Sequence, residues 1–209
     1  MIRIPQKCHR NIERGTTTLY FDHATPIEYD IRGGICWPVS FEVAPGEFQV
    51  MGYAVLCGYN VKTGAVVVLS QRDWVVVDNV TDQKGIVTHE GIGNWFNRCW
   101  SKYFGKLFYY HQPAHLRQRL KLEINRSEII QPKPVFRSID WSHDVEAIHT
   151  VWRLAAEGRI AWDKDSRLHK DMQRVSYADM KTITAPILAL VCAVMGFERF
   201  PWRNDDADS

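Results

Sequence analysis

Hydrophobic and polar positions follow a strand-like pattern in the first third of the chain and helical spacing in the last third. Thr16-Thr17-Thr18-Leu19-Tyr20-Phe21 is rich in branched and aromatic side chains, which suit the pleated surface of a strand. Val39-Ser40-Phe41-Glu42-Val43 alternates with a period of two, and a short strand is expected to begin near Ile35. Pro45-Gly46 predicts a turn ahead of a strand over 48–59. Asn60-Val61-Lys62-Thr63-Gly64 predicts a hairpin joining 51–59 to 65–69, because Gly64 can supply the positive φ of a tight loop. A further strand over 74–80 is expected after the polar interruption Gln71-Arg72-Asp73. The valine-rich runs mark central strands or strands covered on both faces.

From residue 81 the pattern is mixed. Cys99, Trp100, Tyr103, Phe104, Leu107 and Phe108 recur three and four apart, which predicts a short amphipathic helix running through Gly105. After Pro113 the period shortens. Leu116, Leu120, Leu122 and Ile124 share one strand parity, while Arg117, Arg119, Lys121 and Glu123 take the other. A half-buried strand with one basic face is predicted there in preference to a helix.

Pro132 and Pro134 bound a linker or edge segment. Beyond them Val145, Ile148, Val151, Trp152 and Ala155 predict a helix capped by Asp140 or Ser142 and ending near Gly158. A polar helix is expected over 166–175, and the apolar stretch 183–195 predicts a buried one. The expected fold class is α+β, with a mainly antiparallel N-terminal sheet packed against a C-terminal helical layer. Residues 1–137 form the β-rich part with its mixed basic segment. Residues 138–209 form the helical part, packed with the first as one domain.

Composition adds limits. A chain of 209 residues with 45% hydrophobic and 24% charged side chains is long enough for a substantial core and is neither collagenous nor broadly disordered. The apolar stretch 183–197 has 15 residues, short of the roughly 20 needed to span a bilayer, so no membrane span is expected. A polar, charged N-terminus argues against a secretory signal. The cysteines at 8, 36, 57, 99 and 192 are odd in number and form no CxxC pair. A reduced, cytoplasmic setting is expected rather than a disulfide framework.

Charge changes the picture more. The whole chain nets +2, yet 98–137 carries nine Lys and Arg against Glu123 and Glu128 alone. Arg117, Arg119 and Lys121, extended by Arg98, Lys102, Lys106 and Arg126, form a candidate basic surface, with Tyr109, Tyr110 or Trp100 beside it. Basic groups contact phosphates and aromatic rings accommodate bases. The same residue types suit a protein interface. The expected function is non-enzymatic binding or assembly, with a protein partner or a second copy favoured, DNA or RNA as the other partner class, and no cofactor.

Two enzymatic arrangements compete with that reading. Gly33-Gly34-Ile35-Cys36-Trp37 resembles the Cys-Gly-Ser/Ala-Cys-Trp signature of papain-like cysteine proteases at Gly34, Cys36 and Trp37 alone. The resemblance implies Cys36 as nucleophile, and the chain offers His89 or His111 as base, with Asn94, Asn97 or Asp78 to orient the imidazole. In that family the nucleophile opens a helix, whose dipole favours the thiolate. Here the residues after Pro38 alternate as a strand. A structural thiol is therefore expected, with Gly33 and Gly34 permitting a tight turn or a close backbone approach.

The second arrangement is a metal-dependent nuclease. Asp22 and Asp78 at strand ends, with Asp140 and Asp144 at a helix start, would have to converge on divalent ions. Neither His111 with His115 nor His143 with His149 has a compact metal-ligand pattern, and no metal site is expected. Phosphate-binding glycine fingerprints are absent.

Overall fold

The computed structural model describes residues 5–21, 24–44, 47–76, 90–110, 133–139, 144–174 and 184–199. In chain order they form β1 (Lys7–Asn11), β2 (Thr16–Tyr20), β3 (Ile27–Ala44), β4 (Glu47–Asn60), β5 (Val66–Val76) and α1 (Glu90–Tyr103). Then follow β6 (Leu107–Tyr110), β7 (Val135–Ser138), α2 (Asp144–Ala156), β8 (Ile160–Ala161), α3 (Arg167–Arg174) and α4 (Ala185–Arg199). The fold is α+β, as the change of period predicts.

One mixed sheet takes its main order as β1-β2-β3-β4-β5-β8 and is antiparallel from β1 to β5. With 18 residues, β3 holds two neighbours along the flank opposite β4. β2 lies beside 27–29, and β6 runs parallel beside 33–35. β7 extends β6, and β8 from the C-terminal half joins β5, both in parallel.

Strand alternation sends side chains to two separate cores. Cys36, Tyr53, Val55 and Cys57 face α4 and its neighbours α2 and α3, while Ile31, Ile35, Ala54 and Leu56 face α1. The central strands are covered on both sides, which accounts for their long apolar runs. On the first face, Gly34 lets α4 approach: a Cβ there would collide with the Ala189 carbonyl and the Ala193 amide. Gly196 of the same helix faces the Tyr109 ring just as closely. On the second face, Gly33 makes room for Phe108. The glycine pair therefore serves close packing inside a strand, not a turn.

Asp30 and Arg32 also lie on the α4 face, where both are buried. Arg32 Nη2 stands 2.6 Å from Asp30 Oδ2, and among the described residues Oδ2 has no partner besides that guanidinium. Arg32 Nη1 donates to the Gly196 carbonyl at 2.7 Å and to the Tyr109 hydroxyl at 3.1 Å, tying the sheet to α4. The guanidinium also lies 5.3 Å from the Phe197 ring centroid. Burial raises the Asp30 carboxyl above its ordinary range, and the attraction of Arg32 only partly opposes this.

Several sequence expectations are corrected. The strand expected near Ile35 is the middle of the much longer β3. Gln71-Arg72-Asp73 does not interrupt a strand; β5 runs through it. Tyr53 donates to Gln71 at 2.6 Å, and Asp73 lies 3.9 Å from Arg167. Since β8 pairs only with Val66 and Val67, these polar residues occupy a β5 flank with no strand beside it among the described residues. The helix expected through Phe108 stops at Tyr103, and Leu107 and Phe108 belong to β6.

The loop over 60–64 is the expected hairpin connection, with Gly64 at a φ of 68°. Ser166 caps α3 by accepting from the His169 amide at 3.1 Å. α4 is buried along most of its length, as the apolar pattern predicts. No described helix is long and apolar enough to cross a membrane. The Pro45-Gly46 turn, the basic strand over 116–124, the caps Asp140 and Ser142, and the Trp37 side chain lie outside the described residues.

Candidate functional site

α1 is amphipathic, and its outer surface carries the charge. Trp95, Phe96, Cys99 and Tyr103 are buried against the sheet. Trp95 donates its indole N–H to Ser70 at 2.9 Å, and Phe96 packs edge-on to Phe108 at 5.0 Å. That anchoring leaves Asn94, Arg98, Ser101 and Lys102 exposed, with Trp100 at the half-buried border. At the C-terminal end of α1 the Tyr103 carbonyl accepts from Thr17 Oγ1 at 3.2 Å, fixing the helix to β2.

The β1–β2 hairpin brings a further cation. Its turn is held by the Arg14 amide donating to Asn11 Oδ1 at 3.2 Å and by Gly15 at a φ of 66°. Alternation places Arg10 on the same face as Cys8, which packs against the α1 core. Arg10 Cζ consequently lies 5.2 Å from the Trp100 ring centroid. Lys106 comes from the segment after α1, and its Nζ lies 5.6 Å from the same centroid. Lys102 lies 5.2 Å from the Tyr103 ring. A cation–π contact contributes about 0.5–1 kcal/mol at an exposed site and more where it is desolvated.

The α1 stop sets this arrangement. Phe104 has a φ of 59°, and its N–H donates to the Trp100 carbonyl at 2.9 Å while the Gly105 N–H donates to that of Cys99 at 3.1 Å. This is a left-handed helix cap with phenylalanine where glycine is usual. A side chain in that region costs roughly 1–2 kcal/mol. Gly105 is required for space, since a Cβ would run into Leu56 and Ile31. Phe104 meets Trp100 edge-on, with centroids 5.9 Å apart and an interplanar angle of 87°.

Among the described residues, no carboxylate forms an ion pair with Arg10, Arg98, Lys102 or Lys106. Two cations, Arg10 and Lys106, thus lie over one tryptophan, Lys102 lies at the neighbouring Tyr103 and Arg98 is exposed on the same helix, and among the described residues none of the four has a paired carboxylate. Arg98, Lys102 and Lys106 were visible as sequence candidates. Arg10 was not, because it reaches the patch through strand pairing from the far end of the chain. The only local hint was its shared parity with the half-buried Cys8.

The remaining candidates have other positions. Tyr109 and Tyr110 are buried, at 0% and 2% exposure, because β6 lies between the two cores, and they present no stacking surface. Arg117, Arg119, Lys121 and Arg126 lie outside the described residues, as do Asp22, Asp78, Asp140, His89 and His111. Asp144 begins α2, with its side chain outside the described residues. Cys36 is buried in mid-strand, and burial pushes its thiol up to about 12. A nucleophilic cysteine needs the opposite shift, and no helix begins at this residue to provide it.

Among the described residues, no group of three or more His, Cys, Asp or Glu side chains is placed to hold a metal. A cavity of about 70 Å³ lies between Tyr59, Val66, Leu154 and Phe197, with Arg153 and Arg159 in its wall. It is far below the roughly 300–1,000 Å³ of a small-molecule site. Both arginines already pair with Glu157, at 3.6 and 3.4 Å. Comparison of the chain with protein-family models, with curated proteins and with solved structures gives no significant match in any of the three.

Proposed function

We propose that the protein is a non-enzymatic binding module that engages the phosphate backbone of a nucleic acid through the surface around Trp100. The observation that carries this reading is the placing of Arg10 and Lys106 over Trp100, with Arg98 and Lys102 exposed on α1 and no paired carboxylate at any of the four among the described residues. Such a surface concentrates positive potential although the chain nets only +2. The basic sequence over 111–132 supports the same polarity. Among the described residues the exposed large hydrophobic side chains are Ile12, Tyr20 and Val135. Ile12 and Tyr20 lie at opposite ends of the β1–β2 hairpin, so they do not build an apolar protein-docking patch. No disulfide joins the five cysteines, which supports a reducing compartment such as the cytoplasm.

The test is a titration of the full chain with labelled oligothymidylate at two salt concentrations. Four phosphate contacts to a single strand give an affinity that falls about fifty-fold between about 50 and 200 mM salt. Absence of salt-sensitive binding to single- or double-stranded nucleic acid, with binding to polyglutamate instead, would transfer the surface to an acidic protein partner and overturn this reading.

A further inference from the structure

We infer that Phe104 and Trp100 are positioning residues that hold Arg10 and Lys106 as a phosphate clamp, and that the clamp grips backbone charge without stacking on bases. This rests on the binding role proposed above and adds the means of recognition. Arg10 and Lys106 come from separate segments and repel one another as like charges. The Trp100 ring lies within cation–π reach of both, at 5.2 and 5.6 Å, so one electron-rich ring attracts each of them. A ring engaged by two cations is a platform for those cations and is not an open shelf for a base. Their remaining N–H donors suit phosphate oxygens.

The cap also supports the platform through a ring contact. Phe104 adopts a φ of 59°, a backbone conformation in which glycine is ordinary and a side chain is strained. The strained residue is the one whose ring meets Trp100 edge-on at 5.9 Å. Glycine would relax the cap but remove that support. One substitution should therefore have opposite effects on folding and on binding, which a purely structural role for Phe104 would not produce.

The experiment measures thermal unfolding and oligothymidylate affinity for the full chain and for Phe104→Gly, Trp100→Phe and Trp100→Leu. Inorganic polyphosphate of matched charge serves as competitor. Phe104→Gly should unfold at or above the wild-type temperature yet bind roughly three- to ten-fold more weakly. Trp100→Phe, which keeps an aromatic face, should retain more affinity than Trp100→Leu. Polyphosphate should displace the oligonucleotide at a matched concentration of charge.

Wild-type affinity in Phe104→Gly overturns the clamp while leaving the binding role intact. So does equal affinity of the two Trp100 variants, or failure of polyphosphate to compete. If Phe104→Gly unfolds below the wild-type temperature, its support role is overturned. A wild-type chain that binds neither probe overturns the proposed function as well.

Discussion

Two clusters in this protein place arginine beside aromatic rings, and their surroundings give them opposite uses. Arg32 lies 5.3 Å from the Phe197 ring, buried beside Asp30 and hydrogen-bonded to Tyr109 and Gly196. Arg10 lies 5.2 Å from Trp100 near solvent, with Lys106 5.6 Å from the same ring and no carboxylate pairing either cation among the described residues. Inside, a cation without a partner is costly, so Arg32 has an anion and two oxygen acceptors. Outside, water solvates the charge and leaves it available to a ligand. The side-chain type does not distinguish a strut from a binding group; the counter-ion and the burial do.

Breaking the buried cluster should have the largest effect on stability. Arg32→Ala strands the Asp30 carboxylate and should cost about 3–5 kcal/mol, measured by urea unfolding. The double substitution Asp30→Leu with Arg32→Met should lose much less, because neither charge remains. Equal losses would show that Arg32 acts by packing alone. Gly34→Ala should follow, at about 1–3 kcal/mol or more, because α4 must move off the sheet to admit the methyl group. An unchanged unfolding midpoint would contradict the contact between Gly34 and the α4 backbone.

A smaller effect separates the clusters by pH. The folded-state pKa of Asp30 is raised, so the native state holds its proton more tightly than the unfolded chain does. Its contribution is fully present below the ordinary carboxylate value and is lost as pH rises through the raised one. From about pH 7 down towards about pH 4, wild type should therefore gain stability relative to Asp30→Asn. A constant difference across that window would contradict the burial of the carboxyl group.

The two clusters also differ in how far the sequence revealed them. The α4 core was legible because a single apolar run encodes it, and the hairpin was legible because Gly64 must supply a positive φ. Asp30 and Arg32 stand two apart in a strand and so share a face, but only the packing of α4 shows that this face is closed. The stop of α1 was hidden because the left-handed position is occupied by Phe104 and not by glycine. Tyr109 and Tyr110 could equally have been surface rings, and the pairing of β6 with β3 is what encloses them. Arg10 and Trp100 meet only through β1–β2 pairing and the docking of α1, which no local pattern records.

The smallest change in stability should come from neutralising the outer cluster, and the same variant gives the sharpest test of the comparison. In the chain carrying Arg10→Gln, Arg98→Gln, Lys102→Gln and Lys106→Gln, the decisive quantity is the slope of oligothymidylate affinity against salt, with unfolding followed in parallel. The slope should fall by about three relative to wild type, at roughly 0.7 per phosphate contact. Individual surface substitutions usually fall within about 0.5 kcal/mol, and the combined variant should lose far less stability than Arg32→Ala. An unchanged salt slope, or a collapse of folding like that expected for Arg32→Ala, would contradict the assignment of this cluster to binding.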